Sequence, residues 1–290
     1  MDYTLREWVG LARINGSIAE AAVAAQARES GTSEDAVRMT MRHHLMCMKE
    51  SVLNGLDERL RSVTGLTGGQ AAQLLKRLKG GNALCGSLLG KAETYALATA
   101  ECNACMGKIV AAPTAGACGI LPGAILAMME EKGVTEDQAV EALFVAAVVG
   151  QSIAMQASIS GAEGGCQAEC GSAAAMAAAA LVYLEGGDAQ QSADAAAFAL
   201  MNLLGLVCDP VGGLVEVPCV YRNVGSAGVA FTAADMALSG ICCPIDPDEV
   251  ILAMKEVGDA MPPSLRETGD GGCAACESVK ARLRMVQERI

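Results

Sequence analysis

The sequence predicts an all-α, compact multi-helix fold, and three observations carry that prediction. Apolar residues make up 52% of the 290 residues while aromatics make up only 3%. Alanine, leucine, methionine and glycine supply the bulk, whereas strands lean on β-branched and aromatic side chains. Helix starts and stops are marked by capping residues and glycines. No segment alternates convincingly between apolar and polar residues; the nearest, Leu214 to Val220, is interrupted by Pro218.

In chain order, helices are expected near 4–13, 18–29 and 33–54, the second opened by a capping box at Ser17 and Glu20. A further box at Thr67 and Gln70 opens a helix near 68–79, which Gly80 and Gly81 end. A helix near 88–109 follows, then one near 122–132 with Pro122 in its first turn and Gly133 as its stop. Thr135 and Gln138 form another box and open 136–159. Helices near 172–185, stopped by Gly186 and Gly187, and near 189–206 come next. The last two are expected near 224–239, stopped by Gly240, and near 247–259. In the last, Asp246 caps, Pro247 takes the first position and Glu249 lies in the first turn. The helices from 136 to 206 are apolar on nearly all sides, which predicts burial. Residues up to about 66 carry more charge and suggest an outer layer. The chain thus reads as one helical domain over 1–290, with a buried core at about 67–265.

A net charge of −12 disfavours nucleic acid and anionic membranes as partners. Ala139 to Ser160 is long enough to span a bilayer. Gln151, Ser152, Gln156 and Ser158 interrupt it, so a buried helix is the expectation. The first eight residues, MDYTLREW, lack the apolar core of a secretory signal. Thirteen cysteines, an odd number, fit a reducing, cytoplasmic setting with some thiols on metal and others buried as small hydrophobes.

Four glycine-rich segments fall between the expected helices, at 112–123, 161–171, 208–219 and 266–272. Glycine lets backbone approach a ligand closely, so four such loops suggest a shared central site. Five cysteines lie in these loops, and three of them stand out: Cys166 in GAEGGCQAEC (161–170), and Cys208 and Cys219 at the ends of CDPVGGLVEVPC (208–219). Three thiolates can hold an iron–sulfur cluster while leaving one iron open as a Lewis acid. Buried structural cysteines are the alternative on residue type alone. No compact ferredoxin run or zinc ribbon is present. The pairs Cys102/Cys105 and Cys273/Cys276 are secondary candidates. The loop from Thr114 to Gly123 precedes a helix, where free N–H groups make an anion seat; a plain interhelical turn is the alternative.

The segments IVAAPTAGACGILPG (109–123), GAEGGCQAE (161–169) and CDPVGGLVEVPC (208–219) resemble the α chain of bacterial iron–sulfur L-serine dehydratases. The resemblance runs from about residue 4 to 272. It implies an all-helical catalytic domain, a [4Fe–4S] cluster on Cys166, Cys208 and Cys219, and conversion of L-serine to pyruvate and ammonia without pyridoxal phosphate. It favours Thr114, Ala115 and Gly116 as the cradle of the serine carboxylate. It also implies a partner. The family uses a second, histidine-containing domain, fused or as a separate β chain, and the only histidines here, His43 and His44, lie in an expected surface helix. Single-chain members end in a cysteine tail that caps the open iron. The sequence here closes on RLRMVQERI (282–290), and GDGGCAAC (269–276) is richer in cysteine than the family pattern.

Four carboxylates flank the cysteines: Glu163, Glu169, Asp209 and Glu216. Each can accept a proton, hold an ammonium or fix a loop, and the sequence does not choose among them. The pairs Arg222–Asn223 and Arg266–Glu267 are candidates for the pocket or a subunit boundary. A related lyase acting on threonine, cysteine or another β-substituted amino acid remains open, as does a non-catalytic thiol-rich helical metal-binding scaffold.

Overall fold

The structure is a computed structural model that describes residues 3–287; the extreme ends of both termini lie outside the described residues. Thirteen α-helices follow in order among them: α1 (Leu5–Asn15), α2 (Ile18–Ser30), α3 (Glu34–Gly55), α4 (Gln70–Lys79), α5 (Gly86–Ala104), α6 (Ile120–Glu131), α7 (Glu136–Gln156), α8 (Gly161–Gly164), α9 (Ser172–Leu184), α10 (Ala189–Leu203), α11 (Cys219–Leu238), α12 (Pro247–Ala260) and α13 (Glu277–Gln287). Among the described residues there is no strand, only one isolated parallel bridge between Cys208 and Arg266.

Two central helices organise the packing. α9, SAAAMAAAALVYL, is buried from Ser172 to Val182 and packs on α7, α10, α11 and α6. Its alanines leave neighbouring backbones room to approach, and the helix is apolar all round because it meets helices all round. α5 lies against α6, α11, α3 and α4. α7 is long and apolar enough to cross a membrane, yet two-thirds of its apolar window (67%) is buried inside the protein, where it packs on α9 and α2. It is a core helix of the helical stack.

Several helix ends follow the expected chemistry. Thr135 forms a full capping box with Gln138, and Asp246 caps α12 ahead of Pro247. Ser17 accepts the N–H of Glu20, supplying half of its expected box. Thr67 does not cap α4. The N-cap there is Gly69, and the Thr67 hydroxyl donates instead to Glu101 Oε1 at 3.0 Å. Glu101, fully buried on α5, takes over the capping from a distance. It accepts the N–H groups of Gly68 at 2.8 Å, Gln70 at 3.1 Å and Ala71 at 2.9 Å. A carboxylate there meets the positive end of the α4 dipole.

Two boundaries shift in ways that shape the site. α5 stops at Ala104 and not near 109. The N–H of Gly107 bonds the Cys102 carbonyl at 2.8 Å, and the N–H of Met106 bonds Asn103 at 3.0 Å. This is a Schellman stop with Met106, at φ 64°, in the left-handed position that usually belongs to glycine. α11 begins at Cys219, five residues earlier than expected, because the N–H groups of Tyr221 and Arg222 both return to the Pro218 carbonyl. The single turn α8 and the terminal α13 were not expected from the sequence.

Candidate active site

The first glycine-rich loop runs from the end of α5 to α6. Thr114 is extended, Ala115–Ala117 make a 3₁₀ turn, and Gly119 leads into α6. Among the described residues the N–H groups of Ala115 and Gly116 meet no acceptor. The turn is held from behind by two asparagines. Asn103 Nδ2 donates to the Ala115 carbonyl at 3.1 Å. Asn223, buried on α11, accepts the Gly119 N–H at 2.8 Å and donates to the carbonyls of Gly116 at 2.8 Å and Cys219 at 2.9 Å. Its carbonyls thus occupied by amide donors, the turn offers free N–H groups on a fixed backbone.

The second loop delivers Cys166. After α8, Gly165 at φ 75° turns the chain, and residues Gln167–Gly171 form a π turn that runs into α9. Such insertions recur at functional sites. Here the turn brings the buried thiols of Cys166 and Cys170 together, and it swings Glu169 towards the first loop. The third loop delivers Cys208 and Cys219. Cys208 is pinned on both sides of its peptide: its N–H bonds the Leu265 carbonyl at 2.9 Å, and its carbonyl accepts from Glu267 at 2.7 Å. Cys219 opens α11 and is buried.

Glu169 is where these loops meet. Its Oε1 accepts from Thr114 Oγ1 at 2.7 Å, and its Oε2 lies 3.8 Å from Cys208 Sγ. A Cβ on Gly161 would fall 2.7 Å from Glu169 Oε2 and 2.9 Å from Cys208 Sγ; one on Gly116 would fall 2.9 Å from Glu169 Oε1. Both glycines are required by this close approach.

The four flanking carboxylates take different places. Glu216 is buried and faces away, accepting Ser62 Oγ at 2.6 Å, the Thr64 N–H at 3.2 Å and the Thr64 hydroxyl. It anchors the 57–69 loop. Asp209 is buried and pairs with Arg222 at 2.7 Å, while its other oxygen accepts the Cys273 N–H at 2.6 Å. Glu163 is exposed and accepts from Ser158 at 2.6 Å. Only Glu169 among the four touches both the Thr114 loop and a candidate thiol.

Electrostatics follow from that layout. Burial pushes the Cys208 thiol up, with Glu169 and Cys166 adding to it. Burial likewise pushes Cys219 up to about 12, with Cys166 and Glu169 as further causes. Cys166 is held below the usual thiol range, first by the hydrogen bond from Cys170 and then by the Arg222 guanidinium. Glu169 is pushed up by burial and by Glu267, against the Thr114 hydrogen bond that favours its charged form. Arg222 joins these parts, reaching Asp209 and the Val207 carbonyl, the latter at 2.7 Å.

Cys166 from the second loop and Cys208 and Cys219 from the two ends of the third are all buried and lie within electrostatic reach of one another. Among the described residues no three His, Cys, Asp or Glu side chains close around a point as a single ion needs. The donor set fits a larger, soft, cationic core. Such a core would compensate the Cys208 and Cys219 thiolates, which burial otherwise disfavours, and Arg222 would balance charge beside it. The secondary thiols differ in placement, and Cys273 is held by its N–H against Asp209, next to Cys208. Cys102 is buried against the end of α5, and the thiols of Cys273 and Cys276 are exposed. His43 and His44 are exposed on α3. Cys170 is a thiol neighbour that the sequence reading did not single out; its spacing of four from Cys166 was the available signal.

The fold and site define an all-α class of protein that gathers buried thiols near an amide-lined turn. A family model described as serine dehydratase alpha chain matches residues 14–274. The "Probable L-serine dehydratase, alpha chain" of Bacillus subtilis (strain 168) is 52% identical over 244 residues, covering 84% of this chain and 81% of the relative. The "L-serine dehydratase, alpha chain" of Peptoniphilus asaccharolyticus is 40% identical over 276 residues, 95% of this chain and 94% of that one. The "L-serine dehydratase" of Streptomyces coelicolor is 46% identical over 182 residues, 62% of this chain but only 40% of the relative. The chain belongs to the serine dehydratase alpha-chain family.

Proposed function

We propose that this chain is the α subunit of an L-serine dehydratase, deaminating L-serine to pyruvate and ammonia. The observation that carries the reading is Glu169, whose carboxylate touches both Thr114 of the amide turn and the Cys208 thiol. A seat for a small anion and a candidate metal ligand therefore share one residue. Cys166, Cys208 and Cys219 would hold a [4Fe–4S] cluster, which when bound supplies a Lewis-acidic iron to assist loss of a hydroxyl group.

The chain's own residues supply the rest. Thr114, Ala115 and Gly116 bind the substrate carboxylate, the last two through their free N–H groups in the 3₁₀ turn that precedes α6. Asn223 and Asn103 keep that turn from collapsing onto its own carbonyls. Arg222 offsets the negative charge of the thiolates and of Asp209. Glu216 and Asp209 are committed to loop contacts, and Glu163 lies outside, so Glu169 is the carboxylate left at the reacting centre. The relatives named as alpha chains, and the longer relative named without a chain and matched over only 40% of its length, support a separate β chain as the partner that completes the site.

The test is anaerobic purification with iron and sulfide analysis, then pyruvate formation from L-serine with and without the co-purified partner. About four irons and four sulfides per chain are expected, with turnover in the usual enzyme range of roughly 1–1000 per second only when the partner is present. A chain without labile iron and without pyruvate formation in the complex would sink the reading.

A further inference from the structure

An α-amino acid carries its ammonium and carboxylate on one carbon, so a site that seats the carboxylate also fixes where the cation falls. In this structure the carboxylate seat is bordered by a carboxylate. Glu169 Oε1 accepts from Thr114 Oγ1 at 2.7 Å and would lie 2.9 Å from a Cβ on Gly116, so it rests against the backbone of the turn. A second negative charge, Glu267, lies within reach of both Glu169 and Cys208. Its backbone is held at φ 64° by the bond from its N–H to the Cys208 carbonyl, a strained conformation that costs free energy and is retained at functional sites. Arg222, whose charge also reaches Glu169, is already bound to Asp209 Oδ1 at 2.7 Å and to the Val207 carbonyl at 2.7 Å.

This arrangement is unfavourable for a bare anion. A monoanion seated on Ala115 and Gly116 would feel two negative side chains beside it. A zwitterion would not, because its ammonium falls between its own carboxylate and Glu169. We infer that Glu169 is the specificity-determining residue that receives the α-ammonium group of the substrate, selecting α-amino acids over the matching 2-hydroxy acids. The inference rests on the reading of the chain as a serine-deaminating subunit. Glu267 reinforces the field without needing to touch the ligand.

The experiment uses the complex purified anaerobically and compares KM for L-serine with Ki for L-glycerate, in which a hydroxyl replaces the ammonium. Glu169→Gln keeps the shape and the acceptor for Thr114 while removing the charge. A charge-assisted hydrogen bond to the ammonium is worth roughly 10- to 100-fold in affinity. KM for L-serine should therefore rise by about that factor, with Ki for L-glycerate unchanged or lower and the thermal midpoint preserved. Thr114→Val, which removes only the hydroxyl that orients Glu169, should weaken both ligands together by less than about tenfold. If Glu169→Gln abolishes turnover, the readout is thermal protection by saturating ligand: protection by L-serine should be lost and protection by L-glycerate kept. Equal weakening of both ligands by Glu169→Gln, or a fall in kcat at constant KM, overturns the inference. Neither result touches the functional reading, which fails only if the wild-type complex forms no pyruvate from L-serine.

Discussion

Asn223 offers the sharpest test of how the site is held together. Its side chain is buried and makes three hydrogen bonds, at 2.8, 2.8 and 2.9 Å, to Gly119, Gly116 and Cys219. One amide thus joins the amide turn to the first residue of α11. Each bond contributes about 1 kcal/mol net, and stranding the buried Gly119 N–H adds a further 1–2 kcal/mol, so Asn223→Ala should cost about 4 kcal/mol. Asn223→Asp has nearly the same shape but the opposite polarity at one atom. An ionised oxygen would face two carbonyls, so the folded state favours the protonated acid, and its pKa rises above the unfolded value of about 3.9. The sign follows directly. Below about pH 4 both states are protonated and the variant loses little; as pH climbs towards the raised folded pKa, the penalty grows. Asn223→Asp should therefore lie closer to wild type at pH 5 than at pH 8. The assay is urea unfolding of the metal-free chain followed by circular dichroism, comparing midpoints at constant slope. Hydrogen exchange of the 114–119 peptide, in parallel, should rise in both variants. An Asn223→Ala midpoint within about 1 kcal/mol of wild type, or an Asn223→Asp penalty flat between pH 5 and 8, refutes the reasoning.

Replacing Cys166, Cys208 or Cys219 singly by serine should lose the bound iron, since a hard alkoxide replaces a soft thiolate. The same change at Cys102, Cys105, Cys242, Cys243, Cys273 or Cys276 should leave it in place, with iron per chain as the measurement. Gly272→Ala puts a Cβ 2.2 Å from Asp209 Oδ2 on a backbone at φ 59°; a loss of roughly 2–4 kcal/mol is expected, read as a lowered thermal midpoint with weakened iron retention. Glu101→Ala strands the amides of Gly68, Gln70 and Ala71. It should cost about 3–5 kcal/mol and open residues 60–75 to limited proteolysis, while Glu101→Gln, which can still accept, should cost less.

Much of the helical frame was legible because its signals are local. Thr135 caps through Gln138, three residues on, and Asp246 through the Asp248 N–H, two residues on and just past Pro247; such spacings can be read directly from a sequence. Thr67 shows where that reading fails. It has the spacing of a cap, but a buried carboxylate on α5 competes for its hydroxyl and wins, because Glu101 also satisfies three amides that Thr67 could not reach together. The stop of α5 was hidden for a different reason: the left-handed position is filled by Met106, a residue type that does not mark a helix end as glycine does. The glycine context drew attention to Cys166, Cys208 and Cys219 among thirteen cysteines, whereas the pairing of Cys170 with Cys166 is made by a π turn, and a spacing of four was its one local signal. The carboxylates were the least legible. Glu163, Glu169, Asp209 and Glu216 sit in similar glycine-rich surroundings, and side-chain chemistry alone treats them alike. Their roles separate only through partners: Ser62 and Thr64 for Glu216, Arg222 for Asp209, Thr114 and Cys208 for Glu169. Those last two contacts span 55 and 39 residues, and the bond from Gly119 to Asn223 spans 104. A residue's type limits which bonds it can make, but the fold chooses among them by bringing distant partners into range. The residues that set specificity at a loop-built site are therefore the ones a sequence names last.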